Sequence, residues 1–304
     1  MNNKDNKFYS GFVSIIGRPN VGKSTLMNCL IGEKIAITSR KAQTTRNKIT
    51  TILTRDNFQI IFLDTPGIFK PKSKLDRYME KSVKSSIANV DIILYLVEPR
   101  EKISPMDLEI IEKLQSLSSK VFLIINKVDL IEKDYLLQVI DNYSKLYEFD
   151  EVIPVSAIKG ENVLSLTDLM VKNLPEGPKF FPDDMITDQP EKQIVAEIIR
   201  EKILILTHEE IPHGVAVEIM SMKQRKDKEI MDIEATIYCE RESHKGMLIG
   251  KKGAKLKDIG TRARLDMERF LDFPVNLKLW VKVKKDWRDN EFYLKNFGYD
   301  KKNV

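Results

Sequence analysis

The stretch that most limits what this chain can fold into is GRPNVGKST, residues 17–25, which sits directly behind the apolar run FVSII and directly ahead of LMNCLI. It fits the spacing G-x-x-x-x-G-K-[ST]. Gly17 and Gly22 allow a tight wrap around Arg18, Pro19, Asn20 and Val21, so that backbone N–H groups and the following helix N-terminus all point at one anion. Lys23 is then placed to neutralise terminal phosphates and the Ser24 hydroxyl to ligate magnesium, with Thr25 counted among the nucleotide-binding residues. A glycine-rich turn that binds nothing is the plainer alternative, but the flanking strand and helix are the context that the phosphate motif demands.

Periodicity extends that strand–helix unit into a domain. Through residue 174, the apolar runs FVSII, FQIIFL, DIILYLV, VFLII and EVIPV read as buried strands. Helical patterns lie between them near residues 24–31, 75–88, 105–117, 133–147 and 162–173, and the alternation predicts a mostly parallel sheet with helices on both faces. LPEGPKFFPDD, residues 174–184, packs three prolines and a glycine together and breaks the pattern. A linker over 175–190 is expected there, with a second domain over 191–304.

A chain of 304 residues, 42% hydrophobic and 31% charged, suits two ordinary globular domains. No segment approaches the roughly 20 apolar residues that span a bilayer. The start, MNNKDNKFYSG, has no apolar signal-peptide core, so a cytoplasmic protein is expected. Cys29 and Cys239 are too few for a disulfide framework or a zinc site and read as reduced. His208, His213 and His244 lack metal-ligand spacing and read as satisfied loop histidines.

Three further strand ends carry chemistry. DTPG, residues 64–67, follows FQIIFL: Asp64 can reach the magnesium shell, Thr65 and Pro66 shape the turn, and Gly67 can offer its N–H to a terminal phosphate. NKVD, residues 126–129, follows VFLII, while Ser156 and Ala157 follow EVIPV. Asp129 can accept from both N–H groups on the edge of guanine, Asn126 can hold the loop, the Lys127 stem can cover the ring, and the Ala157 N–H can donate to the guanine carbonyl. Adenine would leave that carboxylate and that N–H unpaired, which a site built on paired polar groups rejects.

Each tetrapeptide is weak alone, but four in order, each at a strand end where open α/β sheets bind ligands, form a strong pattern. Residues 10–174 resemble a Ras-like GTPase domain. The resemblance implies GTP and GDP as ligands, magnesium as cofactor, and Lys23, Thr45 and Gly67 around the reacting phosphate. Ser24, Thr45 and Asp64 would form the magnesium set. Where Ras-type enzymes carry a water-orienting glutamine after DTPG, this chain has Ile68, which cannot hydrogen-bond a water. GTPases of the translation-factor-related class with such a residue often use potassium, held partly by the phosphate-loop asparagine, which implies that role for Asn20. The switch loop must fall within ITSRKAQTTRNKIT, residues 37–50. Thr45, directly before Arg46, matches the family position better than Thr44, and the sequence alone leaves both open.

Basic charge collects at the other end. From Arg241 onward there are 17 Lys or Arg against 9 Asp or Glu, a net of +8 in a chain of net +5. Within it lies GMLIGKKGAKLKDIG, residues 246–260, where Ile249 and Gly250 open a turn, Lys251 and Lys252 supply charge and Gly253 closes it. Helical character follows, with apolar Leu256, Ile259, Ala263, Leu265 and Met267. Strand patterns at VAVEIM and IEATIYCE precede the turn and VNLKLWVKV follows it. This fits the G-x-x-G loop of a KH domain, which clamps the backbone of about four single-stranded nucleotides. An ordinary turn before an exposed helix is the plainer alternative.

A P-loop GTPase domain (1–174), a linker and a smaller α+β KH domain of type II with a basic tail (191–304) resemble the Era family of bacterial GTPases. The stretches ITSRKAQTTR, DTPGIFKPK, NKVDL, EEIPHGVAVEI and IGKKGAKLKDIG carry that resemblance. It implies a monomeric, GTP-gated assembly factor that binds the 3′ end of small-subunit ribosomal RNA and acts on the small ribosomal subunit during maturation. It also implies peripheral association with the inner face of the cell membrane, for which this sequence contains no anchor. The competing class is a signalling GTPase whose basic domain meets a membrane surface or a protein; a weaker one is an RNA chaperone with a merely structural nucleotide site. Anionic lipid has no use for a glycine-bracketed clamp, and intact Lys23, Ser24 and Asp64 argue against the last.

Overall fold

The computed structural model describes residues 7–299 apart from residues 40, 42, 69, 70, 208–210 and 227. His208, the end of the basic tail (300–304) and two positions each within ITSRKAQTTR, DTPGIFKPK and EEIPHGVAVEI therefore lie outside the described residues. Two compact units emerge: Met1–Ala36, Thr45–Lys70 and Met79–Asp188 form the first, and Ile37–Thr44, Pro71–Tyr78 and Gln189–Val304 the second.

In the first unit the strands are β1 (Tyr9–Gly17), β2 (Ile49–Arg55), β3 (Phe58–Asp64), β4 (Ile92–Val97), β5 (Lys120–Asn126) and β6 (Glu151–Val155). They form one sheet in the order β2-β3-β1-β4-β5-β6, parallel except for the β2/β3 pair. The helices are α1 (Lys23–Ile31), α2 (Lys74–Ile87), of which the part from Met79 belongs to this unit, α3 (Pro105–Leu114), α4 (Lys133–Ser144) and α5 (Val163–Asn173). Because the strand order reverses at β1, right-handed crossovers send helices to both faces. Every side chain of β4 is buried, as the unbroken apolar run requires of a strand covered on both sides.

The sequence pattern missed β2. Only its first two residues, Ile49 and Thr50, fell in the stretch read as the switch loop, and the rest of ITTILTR carried no reading; its threonines and isoleucines pair antiparallel with β3 from Ile49↔Asp64 to Arg55↔Phe58, around a turn at Asp56–Asn57. The stretch read as a linker is fastened along this unit. Ser10 N–H donates to the Pro175 carbonyl at 3.1 Å, Gln59 Nε2 to that of Phe181 at 2.9 Å, and Ile52 N–H to that of Ile186 at 2.8 Å.

The second unit holds α6 (Glu191–Leu206), β7 (Ala216–Gln224), β8 (Met231–Cys239), α7 (Glu242–Ile249), α8 (Ala254–Leu271), β9 (Val275–Val283) and the short α9 (Glu291–Asn296). Its sheet order is β7-β8-β9, antiparallel between β7 and β8 and parallel between β8 and β9. A parallel pair needs a long crossover, and α7 and α8 supply it. Ile259, Ala263 and Met267 of α8 are fully buried with Ile199 and Ile203 of α6 and Ile233, Ala235 and Ile237 of β8. Leu265, expected on that apolar face, is 43% exposed because it falls between the buried positions of the helical repeat. Trp287 is fully buried and donates through Nε1 to the Gly214 carbonyl at 3.0 Å. Among the described residues no helix is long and apolar enough to cross a membrane, and no group of three His, Cys, Asp or Glu residues suits a metal ion.

Candidate functional site

The strand registers bring the predicted motifs to one edge of the first sheet. Ile15 pairs with Asp64, Gly17 with Leu96, and Asn126 with Val155, so the loops after β1, β3, β5 and β6 all leave from the C-terminal ends of their strands. Gly17 has φ +148°, and a Cβ there would stand 2.3 Å from the Leu96 carbonyl oxygen. Gly22 has φ +104°, and a Cβ there would meet Asn126 Nδ2 at 2.2 Å. Neither position accepts a side chain.

Lys23 lies beneath the loop, buried, with Nζ donating to the carbonyls of Gly17 (3.2 Å) and Arg18 (3.0 Å). Burial pushes its ammonium down to about 8, against the opposing pull of Asp64. An anion in the loop would supply the counter-charge that water supplies elsewhere. Next to it, Ser24 Oγ donates to Asp64 Oδ2 at 2.8 Å, and Thr45 Oγ1 stands 2.9 Å from Ser24 Oγ and 3.3 Å from Asp64 Oδ2. Burial raises the Asp64 carboxyl, opposed by Lys23 and by hydrogen bonds from Ser24, Thr45 and the Thr65 backbone. Asp64 Oδ1 is buried and has no hydrogen-bond partner. An orphaned carboxylate oxygen beside two hydroxyls is a set of hard oxygen donors that fits magnesium. Of the two threonines left open by the sequence, Thr45 is the one brought here, whereas Thr44 donates to the Lys41 carbonyl at 2.7 Å.

The DTPG turn lies against the phosphate loop. Thr65 Oγ1 donates to the Ile15 carbonyl at 2.9 Å, Pro66 is buried, and a Cβ on Gly67 would stand 2.9 Å from Pro19. Ile68 donates its N–H to the Gly17 carbonyl at 3.3 Å and packs its side chain against the core that includes Ile16, Leu63 and Tyr95. On the base side, Asn126 ties two loops together, with Nδ2 donating to the Val21 carbonyl at 2.8 Å and Oδ1 accepting the Ala157 N–H at 3.0 Å. That N–H, expected for the guanine carbonyl, is thus engaged by Asn126 in this structure. Asp129 accepts from Ser156 Oγ at 2.7 Å, and Lys127 Nζ donates to the Asn20 carbonyl at 2.8 Å. Asn20 and Lys127 both hold left-handed backbone, at φ 67° and 66°. Val21 is fully buried and Thr25 half-buried.

Sequence reasoning missed the layer behind these loops. The Arg18 guanidinium pairs with buried Asp107 at 2.9 Å, which also accepts from Tyr95 Oη at 2.8 Å. Glu98 accepts from Lys127 Nζ at 2.7 Å, and its carboxyl is held low by Lys127 and Arg100 in spite of its desolvation. Glu98 directly follows β4, so the strand-end rule that found the other motifs could have found it.

In the second unit, Ile249 ends α7 half-buried, and Gly250, Lys251, Lys252 and Gly253 make the turn into α8. Gly250 has φ 72° and ψ 178°, a region essentially reserved for glycine, and a Cβ there would stand 2.7 Å from Lys255 Cβ. Lys252 (φ 51°) and Gly253 (φ 80°) are also left-handed. A Cβ on Gly253 would meet nothing within 4 Å, and both lysines are exposed. The turn therefore offers open, cationic backbone to a ligand.

A phosphate loop, a magnesium-type oxygen set and a base-side clasp on one sheet edge, followed by a glycine-bracketed turn in a KH fold, define a GTPase that carries a KH domain. Residues 12–127 match the family described as 50S ribosome-binding GTPase, and residues 210–288 match the KH domain family. The chain is 57% identical over 290 residues to GTPase Era of Clostridium kluyveri, covering 95% of this chain and 99% of that one. It is 55% identical over 296 residues to GTPase Era of Clostridioides difficile, covering 97% and 100%. Among solved structures, it superposes at a TM-score of 0.93 and 43% identity, over 96% of this chain and 99% of the other, on an Aquifex aeolicus Era variant bound to GDP.AlF4-. The same figures hold for Era in complex with MgGDPNP and nucleotides 1506–1542 of 16S ribosomal RNA. The chain belongs to the Era family of GTPases.

Proposed function

We propose that this protein hydrolyses GTP and uses its nucleotide state to govern binding of the single-stranded 3′ end of small-subunit ribosomal RNA during small-subunit maturation. The observation that carries the reading is the pairing, in one chain, of a complete strand-end nucleotide site with an open glycine clamp. The Era complex that holds both MgGDPNP and 16S nucleotides supports it. The domain division we propose is 1–174 for GTP, 175–190 as connector and 191–304 for RNA. The work is that of a cytoplasmic monomer, with peripheral membrane contact an expectation of the family alone.

In this reading the residues divide the task. The loop from Gly17 to Thr25 wraps the phosphates, and Lys23 neutralises charge that builds on the leaving and transferred groups. Ser24, Thr45 and Asp64 would hold magnesium, which when bound neutralises the β- and γ-phosphate oxygens. Gly67 presents its N–H to the terminal phosphate, and Asp129 reads guanine while Asn126 keeps the Val21 and Ala157 loops together. Ile68, turned to the core, cannot orient the attacking water. Asn20 would hold a potassium ion in part, which when bound adds positive charge beside the phosphates. In the clamp, Gly250 and Gly253 admit the RNA backbone, Lys251 and Lys252 meet its phosphates, and Ile249 offers an apolar edge to a base.

Filter binding tests this with the 3′-end oligonucleotide against a scrambled sequence, each with a GTP analogue or GDP present. Preference for the 3′-end sequence and a dependence on nucleotide are expected. Equal binding of both RNAs under both nucleotides would return the charged-surface alternative.

A further inference from the structure

Helix α6 buries three consecutive charged side chains, Arg200 and Glu201 at 1% exposure and Lys202 at 7%. Charges this deep are tolerated only where each has a fixed partner. Arg200 donates to the carbonyls of Gln43 and Thr44 and pairs with Glu197. Glu201 Oε1 accepts the backbone N–H of Thr38 at 2.9 Å, while Oε2 holds Lys202 Nζ at 2.7 Å. The same ammonium pairs with Asp266 of α8. At the end of α6, Lys41 donates to the Thr207 carbonyl, and Lys255, in the first turn of α8, donates to that of Leu206 at 2.9 Å.

These partners come from two functional segments. Thr38, Lys41, Gln43 and Thr44 belong to the stretch Ile37–Thr44, and Thr44 is peptide-bonded to Thr45, whose hydroxyl meets Ser24 and Asp64. Helix α8 begins at Ala254, directly after Gly253 of the clamp, and Asp266 lies about 18 Å further along it. A continuous polar line therefore runs from Thr38 through Glu201 and Lys202 to Asp266.

We infer that α6 couples the switch segment to the clamp helix, and that Glu201 and Lys202 are positioning residues that make RNA affinity depend on nucleotide state. The inference rests on the proposed function and adds its wiring. When segment 37–44 moves, Glu201 loses the Thr38 donor while still buried. The carboxylate must then re-form its contacts, and Lys202 and Asp266 are drawn along with it. A packed helix carrying fully paired buried charges has few arrangements, so it transmits a shift rather than absorbing it. Coupling of this kind is reciprocal: RNA at the clamp must change nucleotide affinity by the factor by which nucleotide changes RNA affinity.

The test uses the full chain, the 3′-end oligonucleotide, and the ratio of its dissociation constants with GDP and with a GTP analogue. The wild-type ratio is expected to depart from unity by about fivefold or more. The double variant Glu201→Gln with Lys202→Met removes the buried pair together. It should bring the ratio close to unity, abolish the reciprocal effect of RNA on nucleotide affinity, and leave nucleotide affinity without RNA unchanged. Lys202→Arg, which can still bridge two carboxylates, should restore the ratio. If the double variant fails to fold, Glu201→Gln alone carries the same reading, because it keeps an acceptor for Thr38 and loses the ion pair. A folded variant with the wild-type ratio overturns the inference and leaves the proposed function standing. A wild-type ratio of unity overturns both.

Discussion

The hydroxyl oxygens of Ser24 and Thr45 stand 2.9 Å apart, with Asp64 Oδ2 within 2.8 Å of the first and 3.3 Å of the second. Thr44, its neighbour, spends its hydroxyl on the Lys41 carbonyl. Two adjacent residues of the same type thus have different tasks, and substitution separates them. Thr45→Val should lower magnesium-dependent GTP turnover about tenfold or more, the equivalent of about 1.4 kcal/mol of lost stabilisation. Thr44→Val should leave it within a few-fold of wild type. Steady-state phosphate release measures both, and equal losses would contradict the assignment.

Asp129 is expected to read guanine's two N–H groups, with Ser156 steadying it at 2.7 Å. Asp129→Asn exchanges a double acceptor for one acceptor and one donor, which suits the extra carbonyl of xanthine. A charged hydrogen bond contributes about 1.5–3 kcal/mol, so preference should move towards XTP by roughly ten- to a hundredfold. Competition binding of GTP and XTP decides it; a variant that keeps the full wild-type preference removes Asp129 from base recognition.

Ile68 faces the core and cannot orient water, while Asn20 sits in the phosphate loop with left-handed backbone. Turnover of GTP should therefore fall markedly when potassium is replaced by sodium at constant ionic strength. Equal rates in the two salts would remove potassium and leave the GTPase assignment intact.

The Arg18–Asp107 pair braces the phosphate loop from behind, with Asp107 only 1% exposed. Asp107→Ala leaves Arg18 with its closest counter-charge gone, and breaking one side of a buried pair typically costs about 3–5 kcal/mol. A fall of that order in the free energy of urea unfolding is expected. A loss under about 1 kcal/mol would place the pair among weak surface bridges.

Most of the nucleotide site was legible because each of its motifs follows an apolar run, and strand ends in parallel sheets gather on one edge. What escaped reading escaped for physical reasons. ITTILTR lies on an edge strand with three threonines among its seven residues, so its pattern is weaker than the apolar runs of β4 or β5. Tyr95 and Asp107 act through tertiary contacts with Arg18, which no local spacing reports, whereas Glu98 sits at the end of β4, where the strand-end rule applies. The same holds for α6, whose adjacent charges Arg200, Glu201 and Lys202 carry no local sign that all three are buried. The clamp was visible as Gly250 and Gly253, yet only the backbone angles distinguish its strained glycine at 250 from the open one at 253.

Gly253 tests whether the second unit grips RNA through its backbone rather than through charge alone. Its φ of 80° disfavours a β-branched residue, and a side chain there would project into the open space where a phosphate must come close. Gly253→Val leaves net charge and the nucleotide site unchanged. The predicted result is a folded protein that binds GTP normally and has lost most of its affinity for the single-stranded 3′-end RNA in filter binding. Undiminished RNA binding by a folded Gly253→Val protein would contradict the clamp and leave a generally basic surface as the better description.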